Sequence, residues 1–506
     1  MSTDGWRQLL FRRGLIGGFA SILRAKYLAK TDTYGANSEP TRPTIYPVRR
    51  LPISSNTNSR IALRTIDFVM MDGVVAAMID ARLRLTNAAF VEVRMSSKPE
   101  AFEHWIRTSF VQMNTDLENL YFAKADRAQV IGCGDPIKAS LRDEGHAHVV
   151  ALLAEGNTGE GFDSAYGVLG SVGLYLGALR RHELTNPARE ERSPFPEASS
   201  LALHVGASLG MAPRFSTGHL ATHNRARAGV RKSFTSLRDE FLFIDENTRG
   251  ILSLQRAAEA LTSIVHLGVS SPVADVSFDA AKQALRDVIR FNDRLMNRLD
   301  VERFFYSVRP YYKPYRVGRQ EYRGANAGDF SGINEIDLLL GLCRANDPYY
   351  AQLLVDKMLF MLPSDQARLR DCMSRTSLLD ELLSFVGVYD QEDWFQQNAR
   401  AYLEVCDLFG QAAAQHHDGL VRRFIEGPAA ELDAQGLDGI TASGPPLPVL
   451  LRSLEVLRDL RLAAHRRDIT TRHDDLGKLR GAIRDYRQPV LTGGPAESVP
   501  PRSSSE

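Results

Sequence analysis

The sequence predicts an all-α fold. Apolar residues recur at steps of three and four along most of the chain, as the buried face of a helix requires. No stretch alternates apolar and polar residues for long enough to read as a convincing strand. Between the periodic segments stand polar or Pro-rich connections, of which TNPAREERSPFPEASS at 185–200 is the clearest.

Taken in order, residues 1–60 read as an arm. Arg12 and Arg13 followed by GLIGGFASIL partly resemble a signal peptide. The apolar run is short, however, and Arg24 and Lys26 follow without a cleavage site, so a short amphipathic helix or loose arm is expected. Residues 31–60 are rich in Thr, Ser, Asn and Pro and carry no apolar period. Helical spacing begins with Ile66, Val69, Met70, Val74, Ala77 and Met78, and returns with Phe102, Trp105, Ile106 and Phe110. Two more helices are expected within 146–184. After the 185–200 connection, Ile251, Leu254, Ala258, Leu261 and Val265 form one apolar face. A long amphipathic helix is expected over 278–306. Others are expected over 349–361, 365–385, 392–425 and from Leu447 on. The last segment, RQPVLTGGPAESVPPRSSSE, is expected to be disordered. The domains expected are an arm (1–60), an N-terminal helical domain (61–190), a C-terminal helical domain (191–486) and a tail (487–506).

Composition excludes several classes. A net charge of +1 gives no bulk case for nucleic acid or a membrane surface. No apolar run reaches the roughly 20 residues of a membrane helix. The 4 cysteines are far apart and form no CxxC pair, which argues against a zinc ribbon or a disulfide framework and fits a reducing cytoplasm.

The stretch 304–342, FFYSVRPYYKPYRVGRQEYRGANAGDFSGINEIDLLLGL with its flanks, stands out. Pro310 and Pro314 interrupt helical pairing. Gly318, Gly324, Gly328 and Gly332 suit tight turns or close approach. Arg309, Arg316, Arg319 and Arg323 lie among Tyr306, Tyr311, Tyr312, Tyr315 and Tyr322, and so many rings and guanidinium groups suggest a lined site rather than a solvated connection. Further on, Tyr402, Cys406, Phe409, Ala413, His417, Leu420 and Phe424 follow at steps of three and four. His417 thus falls on a buried stripe, one turn after Ala412, Ala413 and Ala414. His416 fits the stripe tolerably too, so periodicity does not choose between them.

FFYSVRPYY, GANAGDF, IDLLLGL and HDGLVRRFI resemble the matching segments of the haem-dependent tryptophan and indoleamine 2,3-dioxygenase superfamily, in the same order. RPYYKPYRVGRQEYRG and VGLYLGALRRHEL are closer to its pyrrolnitrin-biosynthesis branch. The resemblance spans about residues 60–450 and is most specific in 304–342 and 402–425. It implies an indoleamine-dioxygenase-like helical haem domain with an N-terminal helical domain, and haem b as cofactor.

The resemblance also implies roles. A haem iron that binds O₂ needs a neutral imidazole on one side, and His417 takes the ligand position, with His416 and the Arg-flanked His465 as rivals. Asp337, acidic within an apolar helix, is the candidate to accept the histidine's other N–H, unless it pairs with an arginine of the core. Gly328 is expected beside the cofactor. Arg309 would hold a substrate carboxylate bidentately. Phe304 and Phe305 would wall an indole ring or else pack the core. Thr441 and Ser443, in GLDGITASGPP, match a loop that touches the substrate amine, with Gly439 and Gly444 as hinges. Opposite the proximal side, Gln255 and Ser253 stand where the dioxygenases carry a polar group near O₂, and His204 or His219 would be alternatives. The branch's tyrosine after the proximal histidine has no counterpart, since Phe424 and Ile425 stand there.

The expected activity is oxidative attack on the indole C2–C3 bond of tryptophan or a substituted, including halogenated, tryptophan, with O₂ or peroxide. It would end in ring cleavage or in rearrangement to an aminophenyl-pyrrole. Oxygenation of another aromatic amino acid and a non-catalytic haem-binding protein are the alternatives. Partners would be the small substrate and the oxidant, with no nucleic acid and no membrane, and a homodimer left open.

Overall fold

A computed structural model describes residues 97–156, 161–325, 327–429 and 447–484. The arm expected over 1–60, the helix expected near 66–78, the loop with Thr441 and Ser443, and the tail expected over 487–506 lie outside them.

The described residues are helical apart from one small hairpin. The first helices are α1 (Lys98–Arg107), α2 (Ser109–Phe122), α3 (Asp135–Glu155), α4 (Phe162–Arg181) and α5 (Pro196–Leu209). Helix α1 starts on a capping box, in which Ser97 and Glu100 satisfy each other's backbone N–H. Then come the long helices α6 (Arg238–Leu267) and α7 (Ala274–Arg298), the most extensively packed pair of the fold. They are followed by α8 (Gly332–Leu340), α9 (Pro348–Met358), α10 (Pro363–Ser374), α11 (Leu378–Phe385), α12 (Asp393–Ala414), α13 (Leu447–Arg461) and α14 (His473–Gly481).

Two apolar cores share the long pair. The first gathers Phe102, Ile106, Phe110, Leu169 and Val172 with the start of α6 (Leu242, Ile244) and the end of α7 (Leu295). The second gathers Ala257, Leu261 and Ile264 of α6 with Phe278, Ala281 and Leu285 of α7, and adds α8 and α12. Each long helix therefore enters both cores.

Three details differ from the periodic pattern. The helix expected over 278–306 stops at Arg298, because Leu299 is extended and Asp300 caps a new turn by accepting from Arg303 N–H at 2.7 Å. The segment 365–385 divides, and Ser377 caps its second half, α11. A hairpin pairs β1 (Tyr315–Val317) with β2 (Gln320–Tyr322), with Tyr315 opposite Tyr322. Gly318 turns it at φ +59°, a conformation that suits glycine.

Candidate active site

Among the described residues, π-helical backbone occurs twice, at Phe304–Val308 and at Gln415–Glu426. These are the two segments that carry the strongest sequence signals. A π-turn pairs i with i+5 and is common where function displaces a helix from its regular register. In the first segment Arg309 N–H reaches back to the Phe304 carbonyl. Pro310 has no N–H to continue the ladder, so the chain tightens into a 3₁₀ turn at Arg309–Tyr312.

The two phenylalanines have different surroundings. Phe304 lies in the first core between Phe243, ring centroids 4.9 Å apart, and Phe424, 6.0 Å away. Phe305 lies under Arg309, whose guanidinium carbon is 5.2 Å from its ring centroid. Arg309 is largely enclosed and forms no ion pair among the described residues, and its Nε is buried without a hydrogen-bond partner there. Burial alone draws its pKa down to about 10.

The other arginines of the stretch do structural work. Arg316 donates to the Pro187 carbonyl at 3.0 Å and to that of Arg319. Arg323 meets Asp329 at 3.0 Å and lies against the Phe360 ring, which Arg214 also touches while pairing with Asp329. Gly328 precedes Asp329 in the same short turn, Ala327–Asp329. The tyrosines were expected to line a site, but three of them fill the first core. Tyr311 stacks on Phe234 at 4.4 Å, Tyr312 meets Phe243 edge-on, and the Tyr315 hydroxyl accepts from Phe215 N–H.

In the second π-segment His417 is buried, and its Nδ1 stands 2.8 Å from the Asp418 carboxylate. With Nδ1–H donating there, Nε2 keeps its lone pair, the state of an imidazole that binds a metal. Asp418 is held in turn by Arg458 at 3.2 Å. Gly419 follows it and packs closely on a methionine of α7. A Cβ there would come within 2.4 Å of Met296 Sδ on α7.

His416 is placed differently. Protein encloses its ring, yet the ring surface is accessible, as for a side chain that lines an interior space. Burial, with Arg461, His417 and Lys357 nearby, lowers its pKa to about 4, so this imidazole is neutral at pH 7. Lys357 of α9 borders the same region. Among the described residues its ammonium has no ion pair or hydrogen bond, and burial followed by Arg461 lowers its pKa to about 8. The stripe on which both histidines could sit assumed about 3.6 residues per turn; π-pairing begins at Gln415, and His417 remains on the buried side.

Asp337 does not reach either histidine as a hydrogen-bond partner. Arg461 grips both its oxygens at 2.8 Å and Tyr350 donates to it at 2.6 Å. The core-arginine alternative therefore holds, and the carboxylate hydrogen-bonded to His417 is that of Asp418. An acidic residue directly after the histidine was a readable sign of this.

Ser253 is buried and accepts from Arg256, which also pairs with Asp287. Gln255 is half-buried where the α6 backbone meets Gly332 at the start of α8. His204 is exposed. His219 is buried beside the first core, with Nε2–H donating to the Tyr166 carbonyl and Nδ1 accepting from Ser216 N–H. His465 is exposed beside His473. A groove of about 790 Å³ between α9 and α13, bordered by Tyr349, Val449, Arg452 and Val456, includes neither Arg309 nor the histidine pair. No helix of the described residues is long and apolar enough to cross a membrane.

Residues 96–483, well over half of the chain, match the family model described as Monodechloroaminopyrrolnitrin synthase PrnB.

Proposed function

The chain belongs to the monodechloroaminopyrrolnitrin synthase family, and from that membership we propose that it is a haem-dependent enzyme acting on tryptophan or a ring-substituted tryptophan. The observation that carries the substrate assignment is Arg309. A guanidinium enclosed by protein without an anion is costly, and a ligand carboxylate would remove that cost with a bidentate pair. Phe305 beneath it would fix the plane of the guanidinium.

The residues present suit a haem. His417 offers an imidazole oriented by Asp418, and Lys357 offers an enclosed ammonium without a partner, fit for a propionate. Ala412, Ala413 and Ala414 precede the histidines and would let a flat macrocycle approach. Bound haem would supply the activation of dioxygen or peroxide for attack on the indole C2–C3 bond. The chain's own work is to hold the carboxylate at Arg309 and to keep a neutral imidazole at the iron. Gln255 would be the nearest polar group from α6, and Thr441 and Ser443 would meet the amine. His416 is a second candidate for the iron ligand, favoured by its accessible ring inside an enclosed space.

The test is the optical spectrum of the haem-reconstituted protein, with and without L-tryptophan. Wild type, His417→Ala and His416→Ala are compared. The expected result is a Soret band that tryptophan perturbs and that one of the two substitutions abolishes or shifts. Identical spectra for both variants would remove the pair from the iron. No haem binding by wild type would overturn the enzyme assignment.

A further inference from the structure

Lys313 is a second half-buried cation that no anion among the described residues pairs with. It follows Arg309 by four residues, across the tight turn Arg309–Tyr312, and Pro314 holds it in an extended conformation. Its electrostatic neighbours are Arg180, Arg181, Glu183 and Arg309. Glu183 and Glu118, the carboxylates beside Arg180 and Arg181, are already engaged. Glu183 takes Arg180 at 2.7 Å with one oxygen and Asn186 at 2.9 Å with the other. Glu118 takes Arg181 with both oxygens, at 2.7 and 2.9 Å. Arg309 and Lys313 are left over, and among the described residues neither has an ion pair or a hydrogen bond from its charged group.

Two like charges in one half-buried cluster repel each other and are only partly hydrated, so an entering anion would stabilise the arrangement. Burial, with Arg180 and Arg181 beside it, draws the Lys313 pKa down to about 8, as expected of an ammonium without an anion. One carboxylate on Arg309 would leave Lys313 unanswered unless it bridged both groups.

We propose that Arg309 and Lys313 form one cradle for a carboxylate, with Lys313 as a second binding residue for the ligand. This deepens, and rests on, the carboxylate role proposed for Arg309. The carboxylate belongs either to the amino-acid substrate or to a porphyrin propionate, and the two sources give different results.

The experiment uses the full chain as wild type, Lys313→Met and Lys313→Arg. Haemin binding is followed by its absorption. Binding of L-tryptophan and of tryptamine, which lacks the carboxylate, is followed by calorimetry. If the substrate is the source, Lys313→Met weakens L-tryptophan about tenfold, as loss of a charged hydrogen bond does, leaves tryptamine unchanged, and Lys313→Arg restores most of the loss. If the porphyrin is the source, Lys313→Met weakens haemin by a similar factor. Unchanged affinity in both arms, or equal weakening of tryptophan and tryptamine, overturns the cradle while leaving the role of Arg309 standing. Wild type that binds neither ligand overturns both. Loss of folding is separated by thermal melting, where Lys313→Met should melt no lower than wild type because it removes an uncompensated charge.

Discussion

The ring of Phe304 meets the ring of Phe424 edge-on, with centroids 6.0 Å apart and planes at 86°. The contact joins the two π-helical segments, so the backbone that presents Arg309 and the backbone that presents His416 and His417 share one apolar joint.

That joint should be measurable as coupling. Phe304 and Phe424 are both buried in the first core, and truncation of either to Ala is expected to cost about 3–5 kcal/mol. The double variant should fall short of the sum by about 0.5–1.5 kcal/mol, the usual share of an aromatic pair. Urea unfolding of the four proteins checks it. Strict additivity would mean that the two segments are joined only through the rest of the core.

Asp337 gives a prediction that separates a structural role from a haem role. Asp337→Asn leaves Arg461 in the interior with half its partner, and breaking a buried pair from one side costs about 3–5 kcal/mol. The double change Asp337→Asn with Arg461→Met should recover much of that loss. Haem ligation in the folded variant should be near normal, because Asp418 rather than Asp337 holds His417. An Asp337→Asn protein of native stability with an altered iron spectrum would return Asp337 to the proximal side.

The helices were legible because a single period of about 3.6 residues repeats along them. The buried faces of α6 and α7 fall where Ile251, Leu261 and Phe278 announced them. The site was legible in residue types and less so in partners. Arg309 could be named from its motif, but its lack of an anion emerges only when Glu118 and Glu183 are seen engaged by Arg181 and Arg180. The partner of Asp337 comes from Arg461, distant in the chain, and no local pattern announces such a pair. The burial of His417 followed the stripe, but the π-pairing around it was not legible, for a physical reason. A π-segment has no signature in a period computed for α-helix, so the stripe was extended through a region where the turn widens.

Acid should weaken this fold through histidines that it buries neutral. His219 stacks on Tyr166 at 3.8 Å, and burial, aided by Lys232, takes its pKa to about 3. The unfolded chain binds a proton near pH 6.5 and the folded chain does not, so the unfolded state holds more protons between these values. The stability from this group is complete above about pH 6.5 and is lost as pH falls, by up to about 1.4 kcal/mol per pH unit. His182 and His416 act in the same direction. Melting curves at pH 4, 5, 6 and 7 should slope steeply for wild type and less so for His219→Gln. An unchanged slope would mean that the folded protein takes up the His219 proton as readily as the unfolded chain, giving up the bond from Ser216 N–H at no cost.

Arg309 should show function and stability opposed in a single side chain. Its charge is enclosed and unpaired, and the folded-state pKa of about 10 lies below the usual arginine range. At pH 7 it is protonated in both states, so the full cost of burying the charge is present and is relieved only as pH rises past 10. Arg309→Met keeps the bulk and removes the charge. It should stabilise the ligand-free protein by about 1–3 kcal/mol, the cost of an uncompensated polar group. A carboxylate ligand reverses the order. Saturating L-tryptophan should raise the melting temperature of wild type, because a ligand that binds only the folded state stabilises it in proportion to the logarithm of its concentration over Kd. It should leave Arg309→Met unmoved. A variant that is less stable without ligand would mean that an anion of the protein itself already answers Arg309. A variant that still responds to tryptophan would move the carboxylate elsewhere.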